Sequence, residues 1–100
     1  MESAEAAHLI FEVDIRDIGQ YQELMKKTNS TVEGASGKYL ARGGAHKVDR
    51  GAWQPRRIVL LEFPSATPFE SYYNGSVYRG FMPILDASSS ARLVSMESLP

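Results

Sequence analysis

The chain has 100 residues and no cysteine, with eleven basic side chains against twelve acidic ones. That length fits one domain with a thin core, because a chain this size buries only roughly 60–70% of the surface it exposes when unfolded. With no cysteine, neither a disulfide nor a thiolate zinc site supplements that core, and a formal net charge of −1 lacks the basic stripe by which nucleic-acid binders displace counterions.

Residues 8–15 alternate. Leu9, Phe11, Val13 and Ile15 form one face, and His8, Ile10, Glu12 and Asp14 the other, which marks a strand with one apolar side. Asp17 then opens a helix: its carboxylate suits a free amide of the first turn, and Gln20 can reach back toward the cap. Ile18, Tyr21, Leu24, Met25, Thr28 and Val32 recur at helical spacing and predict one buried stripe. Gly34 or Gly37 ends this helix. Residues 38–42 read as a second strand, interrupted by Gly43-Gly44 and continued over 45–49 past a bulge or bend. Asp49-Arg50-Gly51 is turn chemistry, and Trp53 beside Pro55 reads as a loop anchor.

Residues 57–63 form a third strand, with Val59, Leu61 and Phe63 on one side and Ile58, Leu60 and Glu62 on the other. Thr67-Pro68-Phe69-Glu70 predicts a helix start, with Ser65 as an earlier alternative cap. Asn74-Gly75 ends that helix. A further short helix is expected over 77–85, with Tyr78, Phe81, Met82 and Leu85 inward and Pro83 as a kink or stop. Ser88-Ser89-Ser90 reads as a solvated loop, and residues 91–97 as the last strand. The order strand, helix, strand, strand, helix, strand is the split βαβ pattern of an α+β, ferredoxin-like fold. Right-handed crossovers place the helices on one face of a four-stranded antiparallel sheet, with the first and third strands central.

The other face then carries Ile10, Ile58 and Leu60 beside Glu12 and Glu62. A sheet side left in water does not normally hold so many branched apolar residues. A second copy that closes the two sheets into a barrel resolves this, so a homodimer is expected. The acidic, small N-terminal residues lack the basic start and apolar stretch of a signal peptide, and no apolar run has membrane-spanning length. The expectation is a cytoplasmic protein with no membrane or nucleic-acid partner. The pairs Lys26-Lys27 and Arg56-Arg57 read as solvated surface.

Three segments occur in order at natural spacing: Tyr39-Leu40-Ala41-Arg42-Gly43-Gly44, residues 57–65 ending in Glu62-Phe63-Pro64-Ser65, and Tyr73-Asn74-Gly75-Ser76-Val77-Tyr78. Together they resemble the family catalogued as domain of unknown function 1330, in the dimeric α/β-barrel superfamily, over residues 8–97. The chain departs from that pattern in two places. Gly75-Ser76-Val77-Tyr78 replaces the family's Ser-Pro-Glu-Tyr, and Leu85 stands where the family tends to have an arginine. The resemblance implies a fold that hosts monooxygenases, ring-modifying and dehalogenating enzymes, and ligand-sensing domains, without selecting among them.

Arg42 with Gly43 and Gly44 is the leading candidate for ligand binding. A guanidinium offers a fork of donors to a carboxylate, and glycines let backbone amides approach. An ion pair across a dimer, with the glycines in a bulge, is the alternative. Glu62 is the candidate general base, because burial raises an unpaired carboxyl; a salt bridge to Arg42 or to a partner chain is the competing role. Glu12 is a weaker version of the same case. Tyr39, Tyr72 and Tyr78 are candidate ligand contacts, against the ordinary role of buried tyrosines with satisfied hydroxyls. His8 and His46 lie in no metal-ligand spacing. No Walker loop, dinucleotide fingerprint or nucleophile elbow occurs, so neither metal nor organic cofactor is expected. Two functions follow: a cofactor-independent enzyme acting on a small carbonyl or carboxylate compound, or a non-catalytic ligand-sensing or interaction dimer.

Overall fold

The alternation near the N-terminus becomes strand β1 (Ala7–Ile15), whose buried residues include Ala7, Leu9 and Val13. The remaining elements are α1 (Ile18–Gly34), β2 (Lys38–Arg42), β3 (Arg57–Phe63), α2 (Ala66–Tyr73), α3 (Ser76–Ser88) and β4 (Ser89–Glu97). This computed structural model describes residues 5–98. The sheet order is β2-β3-β1-β4, antiparallel throughout. β1 and β3 pair at the centre, with Leu9 opposite Leu61 and Phe11 opposite Val59. Those side chains share the face under the helices, as alternation requires.

Asp17 caps α1 by accepting a hydrogen bond from the Gln20 backbone amide at 3.1 Å. Tyr21, Leu24, Thr28 and Val32 are its buried stripe. Ile18 is 57% exposed, because the helix begins there and its first turn projects beyond the sheet. The helix ends in a Schellman motif, with Gly37 N–H donating to the Val32 carbonyl and Ser36 N–H to the Glu33 carbonyl. The left-handed position in that motif belongs to Ser36, at φ 72°, not to either glycine. Gly37 serves a different need. A Cβ built there would sit 2.6 Å from Val32 Cγ1 and 2.8 Å from Phe63 Cζ, so only glycine lets the chain pass the core at this point.

The strand expected over 45–49 does not form; residues 43–56 are irregular. The bulge lies earlier than the glycines. Tyr39 pairs with Leu61 but Ala41 pairs with Leu60, leaving Leu40 as the extra residue. The two-residue alternation therefore skips a step, and Tyr39 and Arg42 both face the helices, opposite Leu61 and Val59.

α2 begins one residue after Ser65, which supplies no side-chain cap bond; Thr67 lies inside the helix. α3 continues past Pro83 to Ser88, so the proline does not stop it. Ser88 and Ser89 are not a solvated loop. They are 0% and 2% exposed, and their hydroxyls donate to the Ile84 and Leu85 carbonyls. These bonds satisfy the last helical turn in place of solvent, and the chain passes from α3 into β4 with no connecting loop.

The core is divided. One cluster gathers Leu9, Val32, Val59, Leu61, Phe63 and Phe69; the other gathers Val13, Tyr21, Leu24 and Leu85. Phe11 packs against both. We expect Gly37→Ala to destabilise the protein by about 1–3 kcal/mol through overpacking, read as a lower midpoint in chemical denaturation with unchanged slope.

Candidate functional site

Between the two core clusters the sheet and helices border an open cavity of about 340 Å³. Its floor is the helix face of the sheet, including Leu9, Phe11, Val59, Leu61 and Leu93. One end is walled by aromatic rings in a closed circuit. Phe63 meets Phe69 with centroids 5.5 Å apart, Phe69 meets Tyr73 at 5.5 Å, Tyr73 meets Tyr78 at 5.1 Å, Tyr78 meets Tyr72 at 5.4 Å, and Tyr72 returns to Phe63 at 6.2 Å. Tilted pairs at these distances are the favoured aromatic geometry.

Polar groups enter this apolar space at defined points. Arg42 reaches it from the edge strand with its guanidinium 4.6 Å from the Tyr39 ring centroid, a cation–π distance. With the Asn29 amide oriented to satisfy its neighbours, Arg42 Nη1 donates to Asn29 Oδ1 at 2.9 Å, and Asn29 Nδ2 donates to the Tyr39 hydroxyl at 2.9 Å. The Tyr39 hydroxyl is thus an acceptor within the protein, and its own proton is free for a ligand. Thr31 donates to the Thr28 carbonyl at 2.8 Å, so the Tyr72 hydroxyl, 2.9 Å away, donates to Thr31. That bond ties α2 to α1 beside the cavity.

Burial holds these phenols neutral. It pushes Tyr39 up to about 12, with the Tyr72 hydroxyl adding to the effect and Arg42 opposing it. Burial also raises Tyr78 to about 12, reinforced by Tyr73 and Tyr72. Tyr72 moves in the same direction for the same cause. At neutral pH the cavity therefore offers hydroxyl donors and guanidinium charge.

Of the residues singled out in the sequence, Arg42, Tyr39, Tyr72 and Tyr78 converge on the cavity. Glu62 does not join them. It pairs with His8 across β1 and β3 on the opposite face, where its Oε2 lies 3.8 Å from His8 Nε2. The strand alternation that buries Leu61 and Phe63 sends it there. Glu12 shares that face and accepts a hydrogen bond from the Trp53 indole. Gly43 and Gly44 both have positive φ, 69° and 85°, but neither lines the cavity wall. Leu85, at the family's arginine position, is packed in the second core cluster.

Arg57 was missed. Reading it as half of a solvated basic pair fits Arg56, which is exposed, but Arg57 is partly buried and lines the cavity. Its place two residues before Val59, on the apolar side of a strand, was the available signal. Within the irregular segment 43–56, His46 Nε2 donates to the Pro55 carbonyl at 2.8 Å. Among the described residues no group of three or more histidine, cysteine or acidic side chains is placed to hold a metal ion. No described helix is long and apolar enough to cross a membrane.

An antiparallel sheet in this strand order, with its helices on one face, is the ferredoxin-like fold. Solved structures share it. RPA0582 of Rhodopseudomonas palustris, a protein of unknown function, is 18% identical over 96% of this chain and 84% of its own, with TM-score 0.78. SnoaB of Streptomyces nogalater, a cofactor-independent oxygenase, is 8% identical over 97% of this chain and 96% of its own, with TM-score 0.66. A conserved Bacteroides thetaiotaomicron protein described as a possible oxidoreductase is 11% identical over 94% and 98%, with TM-score 0.63. No curated protein matches the sequence. The pattern of the domain of unknown function family DUF1330 matches residues 6–99, and the chain belongs to that family.

Tyrosine ionisation tests the description of the cavity. In the unfolded chain these phenols titrate at about 10, so between that value and the folded value of about 12 for Tyr39 and Tyr78 the unfolded state holds fewer protons. Stability is then unaffected below about pH 10 and falls as pH rises through that window. Ultraviolet titration of the folded protein should show a late phenolate phase, and Tyr39→Phe and Tyr78→Phe should each remove amplitude from that phase alone.

Proposed function

We propose that the cavity binds a small, planar organic anion, a carboxylate or the enolate of a carbonyl compound, and that the protein works as a homodimer. The observation that carries the ligand class is the charge of the lining. Arg42 and Arg57 enter an otherwise apolar cavity, and none of its described lining residues is acidic. Arg42 is exposed at the cavity rim and Arg57 is half-buried, and a cation set against apolar surface is favourably matched by a nearby anion. Here the protein supplies none, so an anionic ligand is the natural partner. Flat rings suit the aromatic wall, and the size is at the lower end of small-molecule sites.

The same lining constrains the chemistry. It holds tyrosine, arginine, asparagine and threonine, but among the described residues no carboxylate, histidine or cysteine. A general base that works near neutral pH normally comes from those missing types. The cavity therefore suits stabilising an oxyanion, with Arg42 and the free Tyr39 proton as donors. A reaction here would use a substrate acidic enough to form its own enolate, and would need no organic cofactor. The likeness to SnoaB supports the fold only; the reading rests on the lining. The missing base favours a second reading, in which the protein senses or carries its ligand without transforming it.

Calorimetric titration with benzoate, 2-naphthoate and the matching neutral amides tests the ligand class. The acids should bind and the amides should not. Arg42→Gln should weaken acid binding by about 10- to 100-fold, the loss of one charge-assisted hydrogen bond. Equal binding of acids and amides would remove the basis for the reading.

The dimer rests on the open sheet face. Ile10 lies between Leu60 and Val94 in an apolar row, and Val94 is 56% exposed. Flanking this row are Lys38, Glu62 and His8 on one side and Glu12 and Arg92 on the other. Acids and bases are balanced, so a two-fold rotation sets this face against its own charge complement. Sedimentation of the wild type should give a dimer, and Leu60→Glu should give a monomer. A wild type that sediments as a monomer in dilute buffer would refute the pairing.

A further inference from the structure

Arg57 is held in the cavity in a way that its packing role does not account for. It forms no ion pair with any described residue, and its Nε is buried without a hydrogen-bond partner. Beside it, the Tyr21 hydroxyl is also buried and unpartnered, on a residue only 2% exposed. The two are close enough that the Arg57 guanidinium, by its charge and by hydrogen bonding to the phenolate, partly offsets the rise in Tyr21 caused by burial. Buried donors without partners are rare in native proteins.

The backbone makes room for this arrangement. A Cβ at Gly43 would collide with the Arg57 guanidinium, and Gly43 holds φ at 69°. Any other residue there is both strained and in contact with the charged group. Gly43 N–H also bonds to the Ile58 carbonyl at 2.8 Å, which fixes the glycine against the start of strand β3. Arg42 sits opposite Val59, and Arg57 lies two residues before Val59 on the same face. Diagonal positions of this kind are roughly 7–8 Å apart. Two permanent cations thus converge on one cavity, with separate polar environments. Arg42 has Asn29 and Tyr39; Arg57 has Tyr21.

We propose that Arg57 and Tyr21 form a second, inner anion-binding locus, so that the ligand is a small planar molecule with two acidic groups: one on Arg42 and the Tyr39 hydroxyl, the other on Arg57 and the Tyr21 hydroxyl. This rests on the reading of the cavity as an anion site and narrows it to diacids, or to keto acids that bind as the carboxylate–enolate dianion. Two separated guanidinium groups favour two anionic groups over one, because each cation then gains its own counter-charge.

The test compares benzoate, phthalate and isophthalate by calorimetric titration at neutral pH. In the wild type the tighter of the two dicarboxylates should bind about 10- to 100-fold more tightly than benzoate, the gain of one further charge-assisted contact. Arg57→Met should abolish that advantage while changing benzoate affinity less than about threefold, which also shows that the variant is folded. Gly43→Ala, which displaces the guanidinium without removing it, should have the same selective effect. Equal wild-type affinity for benzoate and both dicarboxylates would overturn the inner locus, yet leave the anion site standing; that comparison needs no variant. A parallel loss of benzoate binding in Arg57→Met would also overturn it, since one carboxylate would then bridge both arginines. Failure of every acid to bind would overturn the inner locus together with the reading beneath it.

Discussion

The central pairing of β1 with β3 is the constraint on which everything else in this protein depends. With Leu9 set opposite Leu61 and Phe11 opposite Val59, every second residue of both strands is committed to the helix layer. Slipping that register by one would turn the whole apolar set into water. The same commitment decides the rest of the map. It sends Ile10, Leu60 and Glu62 to the open side, puts Arg57 and Val59 under the helices, and gives β2 a fixed ladder on which to place its own side chains. The choice of faces is therefore made once, at the sheet centre, and the outer elements inherit it.

The helices do not seal this face completely. α1 contributes Val32 to one cluster and Tyr21 and Leu24 to the other, and Phe11 spans the gap. A small domain with so little core would gain stability from filling that gap with aliphatic side chains. This chain places two arginines and several phenols there instead. Local departure from the stability optimum, with consistent patterning everywhere else, is how a functional site is distinguished from the scaffold that carries it. Tyr72 illustrates both roles: its ring belongs to the aromatic wall, and its hydroxyl pins α2 to Thr31 of α1.

The fold was largely legible in the sequence because its main signals are local and periodic. Alternation over residues 8–15 and 57–63, the Asp17 cap, and helical spacing from Tyr21 to Val32 each name an element and its buried side. What was not legible depended on neighbours distant in the chain. Ser88, Ser89 and Ser90 have the composition of a loop, yet the first two are buried because their hydroxyls fold back onto the preceding helix turn. Pro83 has the chemistry of a helix stop, but α3 runs on to Ser88. At the site, Arg42 and the tyrosines could be nominated from their types and surroundings, whereas Arg57 was concealed by its neighbour Arg56 in an apparently solvated pair. Glu62 was nominated from its place on a central strand; the strand's own parity places it across the sheet from Arg42.

The bulge at Leu40 has an evolutionary implication. Position 40 sets the parity of the edge strand: with Leu40 as the extra residue, both Tyr39 and Arg42 face the cavity. Taking Leu40 into the ladder as an ordinary paired residue would leave the tyrosine in place and rotate the arginine to the exterior, removing a cation from the cavity and adding it to the opposite surface, whereas deleting residue 40 would keep both side chains inward. Relatives that keep this strand length but pair it without the bulge can therefore carry a different charge in the cavity without any substitution among the residues that line it.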